Sequence, residues 1–224
     1  MIEHALIFAA GRGERMRPLS DVTPKPLLRV GGKALIEWHI EHLAAAGVRS
    51  IVINTSHLAD RFPASLGDGS RWNLRIDYSH EGPEPLDSGG GMLRAQSLLG
   101  TDPFIAVNGD IWTDFPFSTL PQIPDGLAHL VMVANPPQHP FGDFVLRDGL
   151  LHDEAAPRLT FAGIGVYRAE LVGAQQPGKF SIVPLLRAAM RDGRISGERF
   201  DGDWDDIGTP RRLEDLQGRI AADR

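Results

Sequence analysis

The chain has 224 residues, 42% of them apolar and 23% charged, with a formal net charge of −6. That length suits one α/β domain with enough apolar residues for a sizeable core, and the acidic balance argues against a nucleic-acid scaffold, whose binding rests on a basic surface. No cysteine is present, so disulfides, thiolate metal sites and a cysteine nucleophile are excluded. The apolar start follows the acidic Glu3 and is too short for a signal peptide. No apolar run approaches the ~20 residues that span a membrane. The cytoplasm is the expected location, with neither a membrane nor a nucleic acid as partner.

Residues 4–9 (HALIFA) predict a strand that runs into a loop rich in Gly, Pro and cations, AGRGERMRPLSDVTPKPL. Residues 34–46 predict a helix, with Leu35, Ile36, His39, Ile40 and Leu43 on one face and Gly47 as the stop. A buried-type strand follows at 50–54, a second helix at 57–66 kinked near Pro63, and an alternating strand at 74–79. A glycine-rich turn leads into a helix over 89–100, and 103–110 is a fourth strand ending in polar residues. This βαβαβαβ order predicts a mostly parallel sheet with right-handed crossovers. Ligands then gather at the carboxyl ends of its strands, where AAGRG, Ser56–His57 and Asn108–Gly109–Asp110 lie. Farther on, 129–134, 143–151 and 158–168 read as strands, with Asp148–Gly149 as a hairpin turn. A helix is predicted over 181–193 with Pro184 in its first turn, and a last helix from Thr209 or Pro210.

The first loop is not a dinucleotide fingerprint, because Met16 stands where the third glycine is needed, and it lacks the Gly-Lys-Ser/Thr end of a Walker loop. It does place small residues, Ala9, Ala10, Gly11 and Gly13, where backbone N–H groups could approach a ligand. Arg12, Arg15, Arg17 and Lys25 add positive charge suited to phosphate, Lys25 being held between two prolines. A solvated basic connection is the alternative reading.

The stretch FAAGRGERMRPLSDVTPKPLLRVGGKALIEWHI resembles the signature of the sugar-1-phosphate nucleotidyltransferases. Thr23–Pro24–Lys25–Pro26–Leu27, Asn108–Gly109–Asp110 and Trp204–Asp205–Asp206–Ile207–Gly208–Thr209–Pro210 carry the resemblance in order along most of the chain. It implies a Rossmann-like three-layer fold with a mostly parallel central sheet and a small β-rich sugar-binding extension. The chain would be one domain, 1–224, with a nucleotide-binding half to about residue 115 and a sugar-binding half after it. The implied reaction is transfer of a nucleoside monophosphate from a nucleoside triphosphate to a sugar 1-phosphate, with release of pyrophosphate.

The resemblance assigns Asp110 and Asp206 to Mg2+, with Asp205 as the competing ligand; a turn-capping Asp110 is the alternative. Arg15 would bind the departing pyrophosphate, and Lys25 the α-phosphate or the sugar phosphate. Ala10, Gly11 and Gly13, with Gly89 and Gly90, would border the nucleotide, although a helix-start turn without ligand also explains the last two. Glu81, Asn108, Gly142, Asp143 and Gly163 match places where relatives touch the sugar; ordinary strand bulges are the other reading of the two glycines. Many relatives carry a Glu-Lys-Pro segment where this chain has residues 152–158, and an acidic run where it has Phe180–Ser181–Ile182–Val183–Pro184. The sugar pocket is therefore expected to differ from that of glucose 1-phosphate enzymes. Within the family the chain looks most like bacterial N-acetylmuramate 1-phosphate uridylyltransferases, which implies UTP and an acidic sugar whose lactyl carboxylate would tolerate few acids nearby. Arg158, Lys179, Arg29 and Arg147 are the cations that could reach that group. Mannose-1-phosphate guanylyltransferase is the alternative within the family, a catalytically silent nucleotide-sugar-binding subunit the alternative outside catalysis. A monomer is expected.

Overall fold

The first strand, β1 (His4–Phe8), keeps Ala5, Leu6 and Ile7 fully buried, and the rest of the chain is arranged around it. The computed structural model describes residues 1–155 and 157–222. A short hairpin, β2 (Arg29–Val30) and β3 (Lys33–Ala34), leads into α1 (Leu35–Ala45), then β4 (Ser50–Thr55), α2 (Arg61–Leu66) and β5 (Arg75–His80). Next come α3 (Asp87–Leu99), β6 (Phe104–Asn108), β7 (Ile111–Thr113) and β8 (Ala128–Val133). The hairpin β9 (Val145–Arg147) and β10 (Leu150–His152) precedes β11 (Thr160–Tyr167), α4 (Glu170–Gly173) and α5 (Val183–Arg191). β12 (Ile195–Arg199), β13 (Trp204–Asp206) and α6 (Pro210–Ala222) complete the chain.

Nine strands form one sheet in the order β5-β4-β1-β6-β11-β8-β12-β10-β9. The first four are parallel to one another, and β11 enters antiparallel to both β6 and β8. The expected β-rich extension thus takes the form of further strands on the same sheet. Alternation along the strands divides the core into two layers. Ala5, Ile7, Ile105 and Val107 face α1 and the segment bearing Phe115 and Phe117, whereas Leu6, Phe104 and Ala106 face α3, α4 and α5. A third cluster, Val30, Leu35, Ile207, Leu216 and Ile220, seats α6, with Trp38 and Trp112 packed against it. Among the described residues no helix is long and apolar enough to cross a membrane.

Two predicted boundaries move for local reasons, and one strand is new. The second helix starts at Arg61 rather than 57, which puts Pro63 in its first turn, where a missing N–H costs no intrahelical bond. The helix after the glycine run starts at Asp87, so Gly89, Gly90 and Gly91 lie inside it. β12, which the residues did not announce, pairs parallel with β8 and fills the sheet between β8 and β10.

His39 lies on the buried face of α1 and donates its Nε2–H to Ile111 O of β7 at 2.9 Å, because a carbonyl can only accept. Burial pushes its pKa from 6.5 down to about 4. The unfolded chain therefore takes up a proton below about pH 6.5 that the folded chain refuses, and stability falls with pH through that window. By pH 5 the loss amounts to about 2 kcal/mol. His39→Gln keeps a donor for Ile111 O without titrating, so thermal melting of this variant is expected to fall less between pH 7 and pH 5 than that of the wild type. Equal losses would mean that another group controls acid stability.

Candidate active site

The chain leaves β1 toward β4 on one side, and β6 lies on the other, so the loops after β1 and β6 diverge and open a crevice. Phe8 and Asn108 are level across the two strands, and Gly109 N donates to Phe8 O at 2.9 Å. A cleft of about 1010 Å³ opens there, and Ala10, Gly11, Gly13, Arg15, Lys25 and Asp110 line it. A smaller pocket of about 260 Å³ shares Phe8, Ser88 and Asn108 with the cleft and adds Gly142, Asp143 and Gly163. Residues from six separate segments of the sequence are thereby brought together.

In the first loop a Cβ on Gly11 would meet nothing within 4 Å, so its backbone faces open space. Gly13 adopts φ 63, and Ser20 Oγ donates to its carbonyl at 2.7 Å. Arg15 is exposed and makes no ion pair or hydrogen bond among the described residues; its guanidinium lies beside Gly208. Lys25 is buried in a turn between its two prolines and donates Nζ to Asp110 Oδ2 at 2.8 Å. Arg12 reaches Pro83 O at 3.3 Å, and Arg17 pairs with Asp21.

The two predicted metal carboxylates come from opposite ends of the chain. Ile207 N donates to Asp110 O at 2.8 Å, and Asp206 pairs with Ile111 across the β13–β7 ladder, so the two acids are neighbours. Asp206 Oδ1 accepts from Arg212 and, at 2.7 Å, from Gln138. Asp110 Oδ1 and Asp206 Oδ2 accept no hydrogen bond among the described residues. Strand alternation turns Asp205 the other way, onto Arg219 at 3.1 Å, and burial pushes its pKa up. No group of three or more metal-type side chains occurs among the described residues.

Three of the expected site residues are engaged within the fold. Gly89 and Gly90 do not line the cleft; both N–H groups donate to Phe180 O at 3.0 Å, and a Cβ on either would overlap Phe180 or Gly178. Their neighbours Asp87, at φ 64, and Ser88 line it instead. Glu81, expected at the sugar, lines the cleft and not the smaller pocket. Its Oε1 accepts from Asn54 Nδ2 and its Oε2 from Leu86 N, both at 2.6 Å, while Asn54 Oδ1 accepts from Ala9 N at 2.6 Å. Burial pushes the Glu81 pKa up. Its carboxylate is thus a strut under the first loop.

Asp143 accepts from Phe161 N at 2.8 Å and lies 3.1 Å from His139 Nε2. Gly163, at φ 77 in a bulge of β11, lies against the Asn108 side chain, and Gly142 adopts φ 61, so the bulge and the pocket wall are the same feature. Of the four candidate cations, Arg158 lines the smaller pocket and Lys179 the cleft, whereas Arg147 is paired with Glu154 and Arg29 bonds Gly32 O. Arg187 of α5 also lines the smaller pocket, a residue the sequence did not single out. Asp153 joins it to Arg158, at 3.2 and 3.4 Å.

Residues 4–142 match the nucleotidyl transferase family. The chain is 45% identical to an N-acetylmuramate alpha-1-phosphate uridylyltransferase of Neisseria meningitidis serogroup B, over 97% of this chain and 98% of that protein. It is 33% identical to a protein of the same description from Caulobacter vibrioides, over 97% and 96% of the two. In fold it is similar to an inositol-1-phosphate CTP transferase from T. maritima, with a TM-score of 0.81 at 16% identity over 98% and 96% of the two chains.

Packing around the glycine run separates its role from that of the first loop. Gly90→Ala forces a methyl group onto the Gly178 carbonyl, and overpacking of this kind costs about 1–3 kcal/mol. Gly11→Ala meets open space. Thermal melting is expected to drop clearly in the first variant and stay near wild type in the second; the reverse order would refute this account of the glycines.

Proposed function

The chain belongs to the nucleotidyl transferase family, and on that premise we propose that it transfers UMP from UTP to N-acetylmuramate 1-phosphate, releasing pyrophosphate. The observation that carries this reading is the junction of the two cavities at Phe8, Ser88 and Asn108. A triphosphate on the cationic glycine loop and a sugar in the smaller pocket would meet there, which is the proximity an in-line displacement requires. The acceptor is already ionised at neutral pH, its second pKa being ~6, so no general base is needed. The work left to the protein is charge neutralisation.

Arg15 would hold the β- and γ-phosphates that leave as pyrophosphate. Lys25 would be shared between Asp110 and the α-phosphate, which lies next to the attacking oxygen. Ala10, Gly11 and Gly13 would let the nucleotide lie against backbone. Asn108, Gly142, Asp143 and Gly163 would border the sugar. The donor set of Asp110 and Asp206, each with one uncommitted oxygen, suits Mg2+, which takes one or two carboxylates and fills its remaining positions with water and substrate phosphate. When bound, the ion would neutralise charge that builds on the phosphates. The identity to two uridylyltransferases over nearly their whole length supports UTP and the acidic sugar. Arg158 and Arg187 on the pocket wall share the single carboxylate of Asp153, which supports an anionic substituent if one arginine turns to it.

Asp110→Asn and Asp206→Asn are each expected to lower kcat by about a hundredfold or more while the variants still melt cooperatively. Near-wild-type turnover in both would remove the metal assignment. With UTP, kcat/KM is expected to be about tenfold or more higher for N-acetylmuramate 1-phosphate than for N-acetylglucosamine 1-phosphate, the gain of a charged hydrogen bond. The two sugars differ by the lactyl ether alone. Equal efficiency, or a preference for mannose 1-phosphate with GTP, would overturn the substrate reading and leave nucleotidyl transfer standing.

A further inference from the structure

Residues 178–182 lie directly on the first turn of α3. Phe180 O accepts from Gly89 N and Gly90 N at 3.0 Å, Phe180 N donates to Leu86 O at 3.1 Å, and Ile182 N donates to Ser88 Oγ at 3.1 Å. The glycines set how closely the segment can lie, since a side chain on Gly89 would overlap the Phe180 ring and one on Gly90 the Gly178 carbonyl. The segment also runs from one cavity to the other. Lys179 lines the cleft, whereas Ile182 and Val183 line the smaller pocket.

Most cations around the two cavities already have a protein partner. Lys25 is held by Asp110, Arg158 and Arg187 by Asp153, and Arg12 by Pro83 O. Lys179 and Arg15 are the two lining cations with no ion pair or hydrogen bond among the described residues. Arg15 belongs to the glycine loop, whereas Lys179 comes from the other half of the chain. An exposed ammonium lining the cleft, on a segment held to the start of α3 by Phe180 and Ile182 and continuing into the wall of the smaller pocket, is matched to a phosphate that must reach from the smaller pocket into the cleft.

We infer that Lys179 binds the phosphate of the sugar substrate, a dianionic monoester, and holds it at the junction of the two cavities. The inference rests on the reading that the sugar occupies the smaller pocket. The glycine run of α3 then acts at one remove: it lets the segment that carries Lys179 lie close against the start of the helix. A flexible point charge suits this task, because the bound phosphate must remain free to present one oxygen to the α-phosphorus.

The test is steady-state kinetics of Lys179→Gln and Lys179→Arg with UTP and N-acetylmuramate 1-phosphate, each varied at saturation of the other. In Lys179→Gln the KM for the sugar phosphate is expected to rise about tenfold or more, with KM for UTP and the melting temperature near wild type. Lys179→Arg keeps the charge and is expected to restore most of the loss. A raised KM for UTP with an unchanged KM for the sugar phosphate would overturn the assignment in favour of the triphosphate. No change in either constant would overturn it in favour of a solvated lysine. If the wild type turns over N-acetylglucosamine 1-phosphate but not N-acetylmuramate 1-phosphate, the substrate reading fails, and the same comparison with the accepted sugar still decides the role of Lys179.

Discussion

The parallel pairing of β1 with β6 is the constraint on which the site depends. It sets Phe8 level with Asn108, and Gly109 secures the two strand ends by its bond to Phe8 O. Beyond that point the chain leaves in two directions, and backbone that would otherwise continue a ladder faces the crevice. A side chain at 109 would run into the Phe8 carbonyl. The Asn-Gly-Asp sequence therefore works as a unit in which Asn108 turns to the smaller pocket, Gly109 permits the close approach and Asp110 begins the turn toward β7.

Much of the charge in the site is held in place before any substrate is bound. In the Lys25–Asp110 pair the lysine is largely buried and the acid half open, whereas Arg212 and Asp206 are both partly buried. Each pair avoids an isolated buried charge and leaves a carboxylate oxygen uncommitted. Polar groups fixed this way need little reorganisation when charge develops nearby, which is where electrostatic catalysis gains most. Beneath them, the buried chain from Ala9 N through Asn54 and Glu81 to Leu86 N ties the first loop to the turn before α3. Every donor in that chain meets an acceptor, as a buried polar network requires.

The second half of the chain contributes by extending the same sheet. β11 pairs with β6, so its bulge at Gly163 lies against Asn108, and α5 lies across the opposite layer with Arg187 at the pocket. Both walls of the junction thus rest on one sheet and share its rigidity.

By itself the sequence determined the local order: strands with apolar runs, the helix over residues 34–46, the start of the last helix at Pro210, and the motifs that carry phosphate chemistry. These follow from period, turn residues and charge, which act over a few positions. It also placed the Ala9–Gly13 segment and Asp110 at strand ends, where a parallel sheet collects its ligands, with Arg15 and Lys25 farther along the first loop. What only the tertiary structure decided is which groups are already spoken for. Gly89 and Gly90 read as ligand-facing until Phe180, far along the chain, takes their N–H groups. Glu81 read as a sugar contact, and nothing near it in sequence announces its bonds to Asn54 and Leu86. Arg187 carries no signal on α5, because nothing local says that it will pair with Asp153 and line the pocket. Hydrogen-bond capacity is finite and is allotted between residues distant in sequence, so the spacing of residues along one chain cannot reveal it.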